Sequence, residues 1–398
     1  MVIEKIHGIS TEVLTWARET AGMSTAEASK KLGIKLERLN ALENGSDQPT
    51  RATLIKMAKC YGRNPLVLYL KTPPPKGDRG QDFRKLPPDY CKKDEVLLDR
   101  LLRNIKLRQY LIREILEEEG EKKSFIGSVK KKNMQPDYVA KLIQDALEID
   151  LDEYRAQKNK REAFLLLRNK VENKGIFVLL VGDLGSHHTS ISETVFRGFA
   201  DSDPIAPLIV INNRDNTSAW SFTLLHELVH LYLGESGIST LYNGLKTERF
   251  CNEVAARILL PISELNQFPI SKNINFLEIR DAISKFAKKN YLSRTMIAYN
   301  LFKNDKITQI LYKALVDTFN RQRKEATEKR KEKNNNKKGG INFFATSRYN
   351  LGKNLVTLVG NAIIENTITT TKAARILNVN PRNVDSLVAP FVNYGGKR

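Results

Sequence analysis

Residues 222–233 most constrain how this chain can fold, because they carry His-Glu-x-x-His within an apolar, helix-forming run. His226 and His230 are one helical turn apart, so both imidazoles leave the same helix face and can reach one metal ion. Glu227 points to the side of that face, where its carboxylate can hold a water molecule. Two nitrogen ligands and a neighbouring carboxylate base are the signature of zinc peptidases. A core helix whose histidines satisfy local hydrogen bonds is the alternative, and the complete pentapeptide favours the metal.

A catalytic zinc ion with two histidine ligands needs a third protein ligand and keeps a fourth position open for water. The sequence predicts a helix over residues 246–260 that carries two carboxylates, Glu248 and Glu253. Asn252 lies one turn after Glu248 on the same face, where its side chain can orient a zinc-bound histidine. We therefore predict Glu248 as the third ligand, with Asn252 in support, and Glu253 remains the second candidate.

Length and charge set the broad class of the chain. At 398 residues it is long for one domain and suggests two or three. The 65 basic and 45 acidic residues give a formal net charge of +20, which attracts polyanions such as nucleic acid, although a lysine-rich solvated surface gives the same balance. Cys60, Cys91 and Cys251 have no CxxC spacing, and neither a signal region nor an apolar membrane span occurs, so we expect a cytoplasmic protein.

Residues 1–70 are predicted to form a bundle of short helices that are interrupted at glycines. The helical runs are residues 11–20, 26–32, 36–43 and 51–61. Two short helices joined by a tight glycine turn, inside a bundle of this size, predict a helix-turn-helix that fits the major groove of DNA. A bundle used only for dimerisation or for holding a protein partner is the alternative.

A set of residues spread over this bundle occurs in a characteristic order. They are Leu14, Arg18, Met23, Ser24, Thr25, Ala28, Leu32, Gly33, Ile34, Leu39, Glu43, Asn44, Gly45 and residues 54–58. This order resembles the XRE (Cro/C1-type) repressor family. The resemblance implies that residues 35–42 are the recognition helix and that Lys35, Arg38 and Asn40 meet bases or phosphates. Thr25 stands where the family usually has a DNA-contacting glutamine, and it is the fourth predicted contact.

Residues 71–93 are rich in proline and glycine and are predicted to be a semi-rigid linker. Behind it, residues 94–320 are predicted to form one domain that contains the metal helix. Its helices are predicted at residues 94–119, 138–147, 151–172 and 274–312, and its strands at 175–181, 191–199 and 207–212. The strands lead into the metal helix, so the predicted fold class is mainly α with a small β-sheet (α+β).

Residues 321–398 divide into a basic stretch and a helical module. Residues 321–340 are predicted to be a basic linker, a frayed helix that leads into a flexible loop. Residues 341–398 are predicted to form a C-terminal helical module. Within it, residues 372–377 and 382–388 form a second pair of short helices joined by a turn, which suggests a further DNA-binding, substrate-gripping or docking unit.

Three stretches together resemble the ImmA/IrrE metallopeptidase family. They are residues 207–212, residues 222–230 and the run from Glu248 to Pro261, in which Cys251 and Asn252 stand for the family's Ala-Asn and residues 254–256 for its Phe-Ala-Ala. The resemblance implies a gluzincin-like core with Zn²⁺ on His226, His230 and Glu248, and Glu227 as general base. It also implies an endopeptidase that cleaves a regulatory protein, typically a repressor in phage, mobile-element, stress or toxin–antitoxin control. An XRE-type domain ahead of such a peptidase is a known architecture.

A second class of function is a DNA-binding transcriptional regulator or antitoxin-like protein whose zinc site is structural or sensory. The sequence favours the enzyme, because a structural zinc site is normally closed by a fourth protein ligand. The two classes differ in what single substitutions should do. An enzyme loses activity in Glu227→Gln while it keeps its metal, whereas a regulator keeps DNA binding in that variant and loses it in Arg38→Ala.

Overall fold

Helices dominate the described part of the chain, where five short strands form one sheet, so the predicted α+β class is confirmed. The computed structural model describes residues 4–74, 81–82, 92–117, 122–130, 134–185, 189–239, 246–270, 275–335 and 342–391. These residues divide into two compact units. The first contains residues 4–74 and 92–104, and the second contains residues 81–82 and those from 105 onward.

The first unit contains the four predicted N-terminal helices. They are α1 (Thr11–Glu19), α2 (Thr25–Leu32), α3 (Leu36–Asn44) and α4 (Arg51–Tyr61), followed by a 3₁₀ turn (Pro65–Tyr69) and the start of α5 (Lys92–Leu116). Gly33, at the α2–α3 turn, has a φ of 65°, in the left-handed region that glycine adopts without strain. The apolar faces of α1 to α4 form one core that includes Val13, Leu39 and Met57.

The second unit is built from the remaining helices around the sheet. They are α6 (Pro136–Leu147), α7 (Leu151–Arg155), α8 (Lys160–Glu172), α9 (Thr217–Leu233), α10 (Lys246–Leu259), α11 (Ile262–Asn266), α12 (Phe276–Lys289), α13 (Arg294–Lys303), α14 (Gln309–Asn335), α15 (Phe343–Leu351), α16 (Lys353–Ile364), α17 (Thr370–Leu377) and α18 (Val384–Val388). The apolar helix α9 packs against the sheet on one side and against α8 and α10.

The sheet contains β1 (Gln81–Asp82), β2 (Phe177–Leu180), β3 (Gly198–Asp201), β4 (Leu208–Ile211) and β5 (Gly237–Ser239), in the order β1-β5-β3-β4-β2. β3 is antiparallel to β4, with Gly198 opposite Ile211, and also antiparallel to β5. β2 runs parallel to β4. All residues of β2, β3 and β4 are buried, which explains the continuous apolar sequences of β2 and β4.

Three predicted elements differ from the structure. The predicted helix over residues 274–312 is divided into α12, α13 and the start of α14. The predicted strand over residues 191–199 is wrong except at its last two residues, because residues 191–197 lie outside the sheet, with a turn at 193–195, and β3 begins only at Gly198. The buried side chain of Asn212 donates hydrogen bonds to the carbonyls of Ile191 (3.1 Å) and Phe196 (3.0 Å), which holds the run outside the β-ladder. The predicted helix over residues 151–172 is also broken into α7 and α8, because the Asn159 side chain caps a new helix start.

The C-terminal helices of the second unit include two that the sequence analysis did not predict, α15 and α16. The predicted pair of short helices is present, as α17 and as a 3₁₀ turn (Pro381–Asn383) that continues into α18. Residues 321–335 of the predicted basic linker belong to α14. In the part of the chain that the structure describes, every helix is too short or too polar to cross a membrane.

Candidate metal centre

Helix α9 carries the two histidines in the interior of the second unit. It begins where the Asn216 side chain accepts a hydrogen bond from the Ser218 amide, and it ends at Gly234, whose φ is 70°. Between these caps the helix is apolar nearly all round, so it is buried against both the sheet and its helical neighbours. His226 and His230 therefore leave one face of a wholly enclosed helix, where polar groups need compensating partners.

Helix α10 brings Glu248, in its first turn, to the two imidazoles. One oxygen of the Glu248 carboxylate lies 3.1 Å from Nε2 of His230, and the other lies 3.2 Å from Nε2 of His226. The two Nε2 atoms are 3.2 Å apart. The structure thus brings together the three residues that the sequence predicts as ligands, and all three are buried.

The spacing of these three groups fits a metal ion. In a tetrahedral zinc site with bonds of about 2.0–2.1 Å, ligand atoms lie about 3.3 Å from one another, close to the separations found here. Burial raises the pKa of Glu248, but hydrogen bonds with His226 and His230, and the charge on them, lower it to about 2. A buried carboxylate and two imidazole nitrogens that face a common point are the donor set that zinc prefers.

Burial and neighbouring groups shift the pKa values of the two imidazoles. Burial lowers the pKa of His226, which favours the neutral form that binds metals. Burial also acts to lower the pKa of His230, but Cys251, Glu235 and Glu248 raise it well above its ordinary value. The pKa values of the two imidazoles are therefore shifted in opposite directions, although both rings lie beside the Glu248 carboxylate.

Glu227, the predicted base, lies between α9 and β3 and is fully buried. A Cβ atom at Gly198 would lie 2.7 Å from Oε1 of Glu227 and 2.8 Å from Cγ2 of Thr223. Only glycine therefore lets β3 approach the face of α9 that carries this carboxylate. The sequence analysis missed Gly198, because a glycine in a predicted strand does not reveal which helix lies against it.

Side chains around the ligands hold the histidine rings in place. Asn252 hydrogen-bonds with His226, so the residue predicted to support the site lies beside a ligand. The carboxylate of Glu235 lies 3.8 Å from Nδ1 of His230, on the ring edge opposite Glu248. Sequence reasoning missed Glu235, although its position directly after the left-handed Gly234 turns the chain back toward His230. Carboxylates behind metal-binding histidines orient the ring and raise its basicity.

Glu253, the second candidate ligand, lies outside this cluster. Its carboxylate is 2.5 Å from Nζ of Lys303 and 3.2 Å from a guanidinium nitrogen of Arg257. Glu253 directly follows Asn252, and consecutive residues are rotated by about 100° around a helix. Its side chain therefore faces α13 instead of α9. The structure brings Glu248, and not Glu253, to the histidines.

The predicted DNA contacts lie in the first unit. Lys35, Arg38 and Asn40 are exposed on α3 and at its start, whereas Thr25, the first residue of α2, is half-buried. The Arg38 guanidinium is 3.9 Å from the carboxylate of Asp47. The predicted recognition helix therefore leaves three of its predicted contacts, Lys35, Arg38 and Asn40, accessible to a polyanion.

The helix pair that presents these residues is fixed by its own polar contacts. Ser24 and Glu27 form a reciprocal capping box at the start of α2. Arg18, on α1, forms a nearly buried ion pair with Glu43 on α3, at 2.8 Å, and donates to the carbonyl of Met23. These contacts set the orientation of α3 relative to α1 and α2.

Comparisons with known proteins agree with both sites. Residues 14–68 match the family model described as helix-turn-helix, and residues 183–301 match the one described as IrrE N-terminal-like domain. No curated protein and no solved structure matches the chain. The chain thus joins a segment similar to XRE-type helix-turn-helix domains to a segment similar to ImmA/IrrE domains, and the two matches confirm the predicted resemblance. The second match contains His226, Glu227, His230 and Glu248.

Proposed function

We propose that this chain is a zinc-dependent endopeptidase with a DNA-binding N-terminal unit, and that it cleaves a repressor or another regulatory protein. The observation that carries the proposal is the close approach of two imidazole nitrogens and the two oxygens of one carboxylate group, with N–N and N–O separations of 3.1–3.2 Å. The match of residues 183–301 to the ImmA/IrrE type supports the peptidase class. The helix-turn-helix segment supports a role near DNA, where repressors are found.

In the proposed mechanism, His226, His230 and Glu248 hold the metal, and Glu227 moves protons. A bound Zn²⁺ supplies Lewis acidity, which polarises the scissile carbonyl and acidifies water. Glu227 accepts a proton from the attacking water and later delivers it to the leaving amine. Its burial beside β3 keeps bulk water away and fixes the carboxylate for both transfers.

The composition of the ligand cluster supports a catalytic site over a structural one. Within the described ranges, no fourth His, Cys, Asp or Glu joins the three ligand candidates. A site with three protein ligands leaves a coordination position for water or substrate, whereas structural zinc sites are closed by four. Two neutral imidazoles and one carboxylate also leave the ion with net positive charge, which suits an electrophile.

The ligand assignment predicts the effect of Glu248→Gln on metal content. We expect the wild-type protein to bind one Zn²⁺ per chain, and Glu248→Gln to weaken binding by more than about a hundredfold, beyond the effect of losing a supporting contact. Zinc per chain, measured by elemental analysis after dialysis against a competing chelator, tests this. Glu253→Gln is the matched control, because it removes the same charge from the same helix, and it should keep its metal. A loss of zinc in Glu253→Gln alone would overturn the assignment.

We also propose that α3 contacts DNA, as the runner-up function of a transcriptional regulator requires. Replacing Arg38 by alanine should weaken binding to a specific DNA site by about 1–3 kcal/mol if it reads a base, because a bidentate contact is lost. Lys59→Ala removes one positive charge from α4 and serves as the control in fluorescence anisotropy. Equal weakening by both variants would leave only non-specific attraction. DNA binding without any proteolysis in the zinc-loaded protein would favour the regulator over the enzyme.

A further inference from the structure

A large cavity lies beside the metal centre in the second unit. Its volume is about 1260 Å³, and its walls come from α9, α10, α12, α13 and α14. Phe222 and Asn252 belong to the lining, and both contact the ligand candidate His226: the Phe222 and His226 ring centroids are 6.3 Å apart, and Asn252 hydrogen-bonds with the imidazole. The cavity is therefore one side chain away from the proposed metal ligands.

The described lining of this cavity is strongly basic. Eight Lys or Arg side chains contribute to it, against two carboxylates, Asp215 and Glu253. Both carboxylates already lie beside basic groups, since Asp215 is 3.6 Å from Arg197 and Glu253 is 2.5 Å from Lys303. The cavity therefore carries an excess of positive charge beside the proposed reaction centre, and such a field concentrates anionic ligands.

Two features indicate that this charge is positioned by the fold. The Arg294 guanidinium stacks 4.5 Å from the ring centre of Phe319 and donates a hydrogen bond to Gln322 at 2.5 Å, so its direction is fixed before any ligand binds. Arg197 and Arg323 both face Asp215. Burial and the charge of Arg323 lower the pKa of Arg197, although Asp215 opposes this shift. Glu193 also acts on Arg197 and Asp215, so at this edge of the cavity acidic groups accompany the two guanidinium groups, and the excess of positive charge comes from the lining as a whole.

The size and mixed chemistry of the cavity decide which anion fits. Its volume exceeds the roughly 300–1,000 Å³ of sites for small molecules, so a longer ligand is indicated. Apolar and aromatic side chains such as Phe250, Tyr299 and Tyr312 also line the cavity. A lining that contains both apolar and cationic side chains suits a peptide that carries both apolar and acidic side chains. The adjacent metal centre is where a peptide bond would be cut.

We propose that this basic cavity binds an acidic peptide segment of the protein substrate, next to the bond that is cleaved. The inference rests on the proposed peptidase function and adds the substrate class. Carboxylates of the segment would pair with Arg294, Lys288 and Arg323, while its apolar side chains occupy the aromatic parts of the wall. The charge of the bound segment would thus select among the proteins that reach the site.

Binding to the full-length, zinc-loaded Glu227→Gln protein tests the inference without any cleavage step. The probes are a fluorescein-labelled peptide of alternating Glu and Ala and its counterpart with Gln in place of Glu, followed by fluorescence anisotropy. We expect the acidic peptide to bind at least about tenfold more tightly, with an advantage that shrinks at high salt. Equal affinity for both peptides would overturn the proposal.

Matched double variants test whether the cavity, and not the overall charge, is responsible. Lys288→Gln with Arg323→Gln removes two charges from the lining. Lys285→Gln with Arg321→Gln removes two exposed charges from the same helices, α12 and α14, at positions outside the described lining. The first pair should weaken acidic-peptide binding about fivefold to tenfold and the second less than about twofold. Equal weakening by both pairs would contradict the proposal.

Two further measurements are needed. An oligonucleotide probe distinguishes nucleic acid from peptide as the ligand, and a proteolysis assay distinguishes failure of the inference from failure of the peptidase function. A thymidine oligonucleotide that binds more tightly than the acidic peptide, and is weakened by the lining pair alone, would reassign the cavity to nucleic acid. Acidic-peptide binding with no proteolysis in zinc-loaded protein that carries Glu227 would retain the inference and reject the peptidase. Proteolysis whose rate does not depend on acidic residues near the cleaved bond would retain the peptidase function and reject the inference.

Discussion

Replacing Glu227 by glutamine is expected to lower the rate of peptide-bond hydrolysis by about 10²–10⁴-fold, the usual contribution of a general base. Glutamine keeps the shape of the side chain but cannot accept the proton of the attacking water. The variant should still bind one Zn²⁺, because Glu227 lies beside the triangle of His226, His230 and Glu248 and is not one of its corners. Loss of activity with retained zinc therefore distinguishes a base from a ligand.

Glutamine is the informative substitution because of how tightly this position is enclosed. The Glu227 side chain is fully buried, and its carboxylate lies where even one added carbon on Gly198 would collide with it. Alanine would leave a cavity between α9 and β3 and would confuse lost chemistry with lost packing. Because glutamine has nearly the same volume, the melting temperature of Glu227→Gln should remain close to that of the wild type.

The measurement needs a substrate from the proposed class. DNA-binding regulators encoded beside the gene are the first candidates, and a new N-terminus detected by mass spectrometry is the readout. His226→Ala should lose both zinc and cleavage, which makes it the companion to Glu227→Gln. If Glu227→Gln cleaved the substrate at the wild-type rate, the proton-transfer role would be rejected even with the metal in place.

Much of the candidate site follows from short-range sequence patterns. The spacing of His226 and His230 places them on one helix face, and the one-turn interval from Glu248 to Asn252 suggests a supporting side chain, because helix geometry fixes both relations. The approach of Gly198 and Glu235 could not be predicted in this way. These contacts depend on how β3 and the end of α9 pack in space, which no local period encodes.

The fold shows the same division between local and distant information. The first four helices were predictable because glycine stops and cap residues mark their ends. Strands of two or three residues, such as β1 and β5, are too short to give an alternating pattern. Helices α15 and α16 were missed because their sequence is rich in aromatic, β-branched and glycine residues, which locally disfavour a helix. Tertiary contacts to α8 and β2 hold them in place.

Those contacts centre on Arg168, a buried arginine of α8. Its guanidinium pairs with Glu172 at 3.0 Å and donates to the carbonyls of Val178, Tyr349 and Asn350. Glu172 in turn accepts hydrogen bonds from the backbone amides of Lys353 and Asn354, at the start of α16. Helix α16 lacks a side-chain cap of its own, so Glu172 supplies one from another helix. The pair links the C-terminal helices to the body of the second unit.

Replacing Arg168 by methionine is expected to lower the free energy of unfolding by about 3–5 kcal/mol, the cost of leaving one member of a buried ion pair uncompensated. Arg168 and Glu172 are only 2% and 3% exposed. Burial lowers the pKa of Arg168 and raises the pKa of Glu172, so neither charge tolerates this site without the other. Chemical denaturation measures the loss, and hydrogen exchange should show faster opening of residues 342–364 than of α9.

The double variant Arg168→Met with Glu172→Gln separates the charge from the hydrogen bonds. Glutamine removes the stranded carboxylate but keeps an acceptor for the amides that begin α16, so part of the lost stability should return. The remainder measures the hydrogen bonds from Arg168 to the carbonyls of Val178, Tyr349 and Asn350. If Arg168→Met unfolded no more easily than the wild type, the C-terminal helices would have to be held by apolar packing alone. Faster exchange confined to residues 342–364, with α9 unchanged, would instead show that the ion pair attaches a separable module to an independently stable metal centre.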